Sequence, residues 1–480
     1  MLPSVRLLRR RTKIVATVGP ASRSPDVLNG LIRAGVNVFR LNFSHGTHDQ
    51  QAEAYQAIRA VAATAGEPIA VLADLCGPKI RAGTFDQGSV TLTDGDGVTV
   101  TTRDVIGGPG LIPSQYAALA ADVQPGDRIL LDDGLLELRV ESVSGTEIGC
   151  KVVHGGVLKD KKGMNLPGVS VSSPALTEKD RLDAIFALDL GVDFLALSFV
   201  RRPEDVSDLK RLIEERGLRT PVIAKIEKPE AVQCLDAILA VADGLMVARG
   251  DLGVEMPPET VPIVQRELVR QARRACKPVI VATQMLESMI HQPIPTRAEV
   301  SDVSTAVFSG TDAVMLSAET ATGAYPIKAV EMMDRVARQV EGYQWAEGAF
   351  AGLSIEEENA RASIPLPLYE AMARSTAQLS RDLRARAVCV RTTKGTSAAV
   401  VSATRPAAPM VVLTRDPSVA RRMNLYWGAV PRTVETDDFE LPKQAARQEV
   451  MALGLAEAGQ YILLLAGFGK GQPMLSVVKV

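Results

Sequence analysis

Short apolar runs rich in β-branched residues recur along the chain, each closed by a polar residue and followed by a stretch with helical periodicity. Eight are legible: Thr12–Val18, Val36–Leu41, Ile69–Ala73, Val192–Leu197, Pro221–Ala224, Gly244–Ala248, Pro278–Ala282 and Asp312–Leu316. Near-continuous apolar strands separated by amphipathic helices imply parallel strands buried on both faces, and eight such units predict an α/β fold, a (β/α)8 barrel. The punctuation agrees: Ser24-Pro25 and Arg202-Pro203 read as helix starts, and Gly35, Gly191 and Gly217 sit where helices should stop.

The gap between Ala73 and Val192 is too long for one helix, and its text changes character. Asp-Gly turns (Asp94-Gly95, Asp96-Gly97, Asp133-Gly134) separate alternating strands such as Ser89–Leu92 and Ile129–Leu131. Residues 78–173 therefore read as a small β domain inserted after a barrel strand, on the face where βα loops gather, in the position of a lid. Residues 1–77 and 174–345 make the barrel. Beyond Val340 the pattern loosens through Glu341–Ala362, with Gly342, Gly348, Gly352 and an acidic patch at Glu356–Glu358, which reads as a linker or an extra helix. The remainder, within 346–480, opens on a helix over Leu366–Leu383. It then alternates strands (Ala387–Arg391, Met410–Thr414, Tyr461–Ala466) with helices, as a compact α/β domain does.

Charge narrows the partners. Lys and Arg total 54 against 56 Asp and Glu, a net charge of −2, which excludes the broad basic surface that nucleic acid or an anionic membrane requires. No apolar run approaches the ~20 residues of a membrane span, and the N-terminal Arg9, Arg10 and Arg11 precede no signal-type apolar segment. Five scattered cysteines without a Cys-x-x-Cys pair argue against a disulfide framework or a zinc ribbon, so a soluble protein of the reducing cytoplasm is expected.

In a barrel the residues just past the strands converge on one cavity. Here they are Arg40 through His45, Asp74, Ser198, Lys225-Ile-Glu227, Arg249-Gly-Asp251, Thr283-Gln284 and Ser317-Ala-Glu319. Three acids (Asp74, Glu227, Asp251) beside three cations (Arg40, Arg81, Lys225) suit a hard cation such as Mg2+ and an anionic, phosphorylated substrate. Lys225 and Glu227 lie two residues apart, so strand alternation sends both to the same side. A metal and a Lys placed together there would neutralise a transferring phosphoryl group. Backbone amides of Gly250 to Gly253 add donors if a helix opens there. His45 and His48 read as loop-fixing residues, since neither a His-Glu-x-x-His nor a Gly-x-Ser-x-Gly motif is present. The Met285 and Met289 pair reads as packing. Gly467–Gly471 lacks Walker spacing and reads as a surface turn.

Read in order, these residues resemble the pyruvate kinase family over essentially the whole chain. The similar stretches are Thr12–Pro20, Arg40–Gly46, Asn165–Gly168, Lys225–Glu227, Val247–Gly253, Ala282–Met289, Pro295–Glu299 and Met315–Thr320. The resemblance implies transfer of the phosphoryl group of phosphoenolpyruvate to ADP, giving pyruvate and ATP in the final step of glycolysis, by a cytoplasmic homotetramer. It implies Mg2+ (or Mn2+) on Glu227 and Asp251, with a second ion arriving on the nucleotide. Lys225 would stabilise the transition state and Arg40 would bind the phosphate. Gly250, Asp251 and Thr283 would line the phosphoenolpyruvate site, with Thr283 close to the protonation path. Arg81, Lys162 and Asn42, Phe43, Ser44 and His45 would meet nucleotide phosphates. A Mg2+-dependent lyase on a similar barrel shares the acids and the Arg but has no need of an ADP-facing insert. A catalytically dead scaffold has no need of Lys225, Glu227, Asp251 and Thr283.

One departure concerns monovalent cations. Many members hold K+ at the positions of Asn42, Ser44, Asp74 and Leu75, with Asp-Thr-Lys-Gly-Pro-Glu in the adjoining loop. This chain reads Asp74-Leu-Cys-Gly-Pro-Lys79, so the Lys79 ammonium is expected to supply that charge and K+ is expected not to be required. Cys76 replaces the usual Lys. In the C-terminal domain, Thr392-Thr-Lys394-Gly395-Thr396-Ser397 resembles the effector-phosphate loop of regulated members, with Thr396 in place of the usual basic residue. A phosphorylated allosteric effector is expected there.

Overall fold

The computed structural model describes residues 7, 9–353, 366–434, 443–467 and 473–480. The eight apolar runs form the strands β1 (Lys13–Thr17), β2 (Val38–Asn42), β3 (Ala70–Asp74), β4 (Phe194–Leu197), β5 (Val222–Ile226), β6 (Gly244–Ala248), β7 (Val279–Ala282) and β8 (Ala313–Leu316). They close into one parallel ring in chain order, with β1 pairing both β2 and β8. Every residue of β1, β3, β5 and β6 is buried. Alternation then sorts the side chains. Val15, Val38, Leu72, Phe194, Ile223, Met246, Ile280 and Met315 fill the ring's interior, whereas Ile14, Phe39, Leu195 and Leu245 pack outward against the helices.

Helix boundaries follow the chemistry read from the sequence. Ser24 precedes the helix Pro25–Ala34, and Gly35 ends it at φ +116, a left-handed turn that an L side chain resists. Arg202 precedes Pro203–Glu215, and Gly191 closes Glu178–Leu190.

After β3 the chain leaves the barrel to form a six-stranded sheet and a two-stranded one around their own apolar core. Ser89–Leu92 is a strand as expected, and Ile129–Leu131 begins one residue earlier, at Arg128. Where the insert begins, Gly77 donates its N–H to Asp180 Oδ1 (3.0 Å). Asp180 lies in the first turn of the helix that receives the returning chain and accepts from Thr177 as well. Gly77 has φ +69, and a Cβ there would come within 2.8 Å of the Phe199 ring.

The C-terminal unit is a five-stranded sheet ordered 429–433, 410–414, 388–391, 461–466, 474–479, with only the last strand antiparallel. Two of these, Ala429–Thr433 and Met474–Lys479, were absent from the sequence reading. The unit plugs the bottom of the barrel, where Leu425 joins the interior core. The junction is also polar and buried: Arg405 pairs with Asp312 at 3.0 Å, and Asp312 accepts from the Trp427 N–H at 3.0 Å. Arg421 reaches Asp193 at 2.8 Å.

Of the linker or extra helix expected over Glu341–Ala362, the described residues are largely helical. One helix runs unbroken from Pro326 to Gly348, past the expected domain boundary at 345/346, and a short 3-10 turn covers Ala351–Leu353. Glu341 is fully buried in it and accepts from the Arg11 and Thr12 N–H groups at 2.7 Å each. Its carboxylate tethers this helix to the chain entering β1. The acidic patch Glu356–Glu358 lies outside the described residues, as does the surface turn beyond Gly467.

Candidate active site

Lys225 sits near the end of β5, where alternation and burial leave its stem among apolar strands and its ammonium among oxygens. Its Nζ lies 3.2 Å from Asp74 Oδ1 and 3.1 Å from Glu227 Oε1, and donates to Ser198 Oγ at 2.5 Å. Arg40, midway along β2, donates from Nε to Asp74 Oδ2 at 2.6 Å and from Nη1 to Thr17 Oγ1 at 3.1 Å. Pairing of β2 with β3 puts Asn42 opposite Asp74. Four adjacent strands, β2 to β5, thus build a buried lattice of two cations and two acids.

Burial opposes charge on each of these groups, and the lattice decides the outcome. Burial alone would lower the Lys225 pKa, but Asp74 and Glu227 outweigh it and raise it. Burial likewise pushes Asp74 up, yet Lys225 and Arg40 hold it below the usual carboxylate range. For Glu227 burial wins: against the pull of Lys225 and with Asp251 adding repulsion, its pKa is raised. Glu227 Oε2 also accepts from the Phe199 N–H at 2.6 Å.

Beyond β6 the helix Arg249–Glu255 begins as the sequence suggested, with Gly250 and Asp251 in its first turn. The Gly250 N–H donates to Thr283 Oγ1 at 2.8 Å, and that hydroxyl donates to the Ala282 carbonyl at 2.6 Å. Thr283 is held at φ +68, an unusual conformation for a β-branched residue and one that orients its hydroxyl. The Arg249 guanidinium braces the same turn through the carbonyls of Ala282 (3.2 Å) and Thr283 (2.6 Å) and through Asp302 (2.5 Å).

Glu227 and Asp251 are an all-oxygen donor pair. Among the described residues no group of three or more His, Cys, Asp or Glu side chains is arranged to hold a metal. Two carboxylates with the remaining positions left to substrate and water match the way Mg2+ is held, and a dication held there would offset the burial, and the added repulsion of Asp251, that raise Glu227.

Across a narrow cleft from Asp251 lies the inserted domain, with Lys79 and Asn165 on its side and Lys228 and Glu255 on the barrel side. Sequence reasoning missed Glu255 and Lys228. Glu255 Oε1 accepts from Asn165 Nδ2 at 3.0 Å and from Lys228 Nζ at 2.8 Å, while its Oε2 is buried without a hydrogen-bond partner among the described residues. It ties the lid to the helix that carries Asp251. Asn165 stands in the Asn-Leu-Pro-Gly stretch, but nothing in the sequence pointed to its partner. Glu255→Gln keeps the shape and removes the charge. It is expected to raise the substrate KM severalfold with a smaller change in kcat, because the latch closes the lid and touches no reacting atom. Steady-state kinetics separate the two, and an equal fall in kcat at constant KM would refute the latch.

The other expected residues divide. Arg81 and Lys79 stand near His45, whose pKa is lowered by burial and then by Arg81, Lys79 and Arg40. Lys162 instead pairs with Asp132 inside the lid at 2.8 Å. Asn42 Oδ1 accepts from the Ser44 N–H (3.1 Å), and the Leu75 carbonyl accepts from Ser198 Oγ (2.7 Å). Lys79 is exposed and makes no ion pair among the described residues. His48 bonds Asp183 (2.7 Å) and stacks on Phe186, a loop-fixing arrangement, and the Phe43 carbonyl accepts from Lys179. Met285 and Met289 are fully buried packing.

Residues 9–330 match the family model described as pyruvate kinase, barrel domain, and residues 370–480 match that of the pyruvate kinase alpha/beta domain. The chain belongs to the pyruvate kinase family. It is 45% identical over 473 residues to pyruvate kinase 2 of Synechocystis sp., covering 97% of this chain and 78% of that one. It is also 45% identical over 463 residues to a pyruvate kinase of Agrobacterium vitis, covering 96% and 94%. The crystal structure of a pyruvate kinase from Cryptosporidium parvum superposes with a TM-score of 0.91 at 35% identity, covering 98% of this chain and 96% of that one. The chain is accordingly an enzyme, a phosphotransferase of the pyruvate kinase type. Among the described residues no helix is long and apolar enough to cross a membrane.

Proposed function

We propose that the chain transfers the phosphoryl group of phosphoenolpyruvate to ADP, giving pyruvate and ATP, at the Lys225 lattice. The observation that carries this reading is a buried ammonium held between Asp74 and Glu227 beside the Arg40 guanidinium. Phosphoryl transfer needs little covalent help from a protein; it needs fixed positive charge where the oxygens gain electrons. Arg40 binds the phosphate, and Lys225 stabilises the transferring group and the enolate left behind. Glu227 and Asp251 would hold Mg2+ or Mn2+, which when bound neutralises the substrate's carboxylate and phosphoryl oxygens. Gly250 and Thr283 position the substrate, and the fixed Thr283 hydroxyl stands close to the path by which a proton reaches the enolate carbon.

The lid brings Arg81 and Lys162 to the nucleotide phosphates, with Asn42, Phe43, Ser44 and His45 on the barrel side; Lys162 exchanges Asp132 for phosphate as it does so. Closure also keeps water from taking the phosphoryl group. At the monovalent-cation position, the Asn42, Asp74 and Leu75 oxygens already face N–H, O–H or cationic donors. That supports activity without K+, with the Lys79 charge nearby. The Thr392–Ser397 loop supports an effector-phosphate role: Gly395, at φ +92, precedes the helix Thr396–Ala403, and Lys394 stands beside it. The homotetramer and the cytoplasmic location stay part of the same reading, and all five cysteines are free thiols.

Coupled assays of pyruvate and ATP test the proposal. Product should form only with ADP, phosphoenolpyruvate and a divalent cation all present, at the same rate in KCl as in tetramethylammonium chloride. No ATP would reject the reaction. A many-fold stimulation by KCl would reject the role of Lys79 alone.

A further inference from the structure

The loop that leaves β2 carries Asn42 to His45, proposed above for the barrel side of the nucleotide site, and from Phe43 to Thr47 it is neither strand nor helix. Side chains must hold it. Gln51, one turn into the following helix His48–Ala65, donates from Nε2 to the carbonyls of Asn42 (3.0 Å) and His45 (2.9 Å). The Phe43 carbonyl instead accepts from Lys179 Nζ at 3.0 Å, 136 residues further along the chain, on the helix Glu178–Leu190.

Asp183 organises this contact. Its Oδ2 accepts from the same Lys179 ammonium, and its Oδ1 lies 2.7 Å from His48 Nε2. A carboxylate offers only acceptors, so the imidazole donates. The His48 ring lies flat on Phe186, with centroids 4.1 Å and planes 7° apart, and the Phe43 ring stands edge-on to both. Lys179, Asp183 and Phe186 recur at spacings of four and three, so one helix face presents all three. Asp183 is 4% exposed, and a carboxylate so buried needs its donors held in place. Among the described residues, the hydrogen bonds of Lys179, Asp183 and His48 reach none of Lys225, Glu227, Asp251 or Thr283.

The same turn of helix also holds the lid. Asp180, between Lys179 and Asp183, accepts from the Gly77 N–H at 3.0 Å where the insert departs. Little more than one helical turn therefore sets the distance between the loop on the ring and the root of the domain that bears Arg81 and Lys162. We propose that Asp183, acting through Lys179 and His48, is a positioning residue for the nucleotide, fixing the barrel half of the ADP site relative to the lid half. The inference rests on the phosphoryl transfer to ADP proposed above and adds residues outside the site assigned there. Phosphoenolpyruvate is independent of this brace, because Gly250, Asp251 and Thr283 follow β6 and β7 and are held by their own hydrogen bonds.

Calorimetry measures binding of ADP with Mg2+ to the full chain, and steady-state kinetics give the KM of each substrate separately. Asp183→Asn keeps the shape and removes the charge that holds Lys179 and His48. It should weaken ADP binding and raise the KM for ADP by about 3- to 10-fold, with kcat and the KM for phosphoenolpyruvate changing by less than about twofold. The Lys179 side chain is 60% exposed, so Lys179→Met tests the same brace without disturbing the core. It should shift the ADP values in the same direction, and Lys179→Arg, which keeps a cationic donor, should recover most of the loss. A merely structural role would lower the melting temperature without separating the two substrates. The proposal is overturned if ADP binding is unchanged in Lys179→Met, if both KM values rise together, or if Lys179→Arg is as impaired as Lys179→Met. An unaltered chain that binds ADP yet makes no ATP would reject the reaction and leave the binding data to decide the brace; one that binds no ADP would overturn both.

Discussion

Lys225→Met should lower kcat by about 10^2- to 10^3-fold, the usual loss when one fixed charge is withdrawn from a transition state. The KM for phosphoenolpyruvate should change far less, because Arg40 and the residues around Thr283 remain to bind the ground state. A second loss should accompany the first. Without the ammonium, Asp74 Oδ1 and Glu227 Oε1 face one another in a buried strand end. Removing one partner of such a buried set costs about 3–5 kcal/mol, so the variant should also melt earlier. The pH dependence has a definite sign. The raised Lys225 pKa means that its stabilising contribution is complete below its unfolded value, about 10.4, and fades only as pH climbs through the higher folded value. The lowered Asp74 pKa means that its contribution is complete above about 3.9 and is lost on acidification. The pair therefore stays fully charged across neutral pH and should contribute no inflection to the rate there. Near-normal turnover in Lys225→Met would remove the mechanism proposed above.

Arg405→Met should produce the largest loss of stability away from the active site. The guanidinium is 1% exposed, bonds the carbonyls of Gly310 (2.7 Å) and Ser402 (2.8 Å), pairs with Asp312 (3.0 Å) and lies over the Trp427 ring. Met roughly fills the volume but leaves Asp312 a buried carboxylate served, among the described residues, by the N–H groups of Trp427 and Val279. The cost should be about 3–5 kcal/mol. It falls on the seam between the barrel and the C-terminal unit, so calorimetry should show the two units melting apart at a lower temperature. Activity well below that transition should persist. An unchanged profile would mean that the ion pair contributes nothing net to the seam.

What was legible in the sequence was whatever burial on both sides makes unmistakable. Strands β1 to β8 showed as apolar runs because each faces the ring on one side and helices on the other. Gly244–Ala248 matched residue for residue, whereas the other seven starts were misjudged by one or two residues, since residues such as Val36, Ile69 and Pro278 are apolar but precede the first ladder pair. Ala429–Thr433 was missed because Pro431 interrupts it, and Met474–Lys479 because only one of its six residues is buried. Glu341 lay where glycines loosen the pattern, and only the fold brings the Arg11 and Thr12 N–H groups to it. In the active site the strand-end rule found Arg40, Asp74, Lys225, Glu227, Asp251 and Thr283. It could not find Glu255, whose meaning lies in Lys228 and Asn165, partners distant in the chain. Lys162 was found by resemblance, and its partner Asp132 only by structure.

The single hydrogen bond from Gly77 to Asp180 brings the departing and returning ends of the insert within one side chain's reach. The inserted domain hangs from the ring by a narrow neck, and its core shares no residue with the barrel's. An excised chain in which a few residues bridge that neck should still close its eight strands, since none of the ring's pairings passes through the insert. Such a minimal ring would keep Lys225, Glu227 and Asp251 while losing Arg81 and Lys162, the lid residues proposed above for the nucleotide. The hydrogen bond at Gly77 thus marks where insert and barrel can be parted without touching the ring.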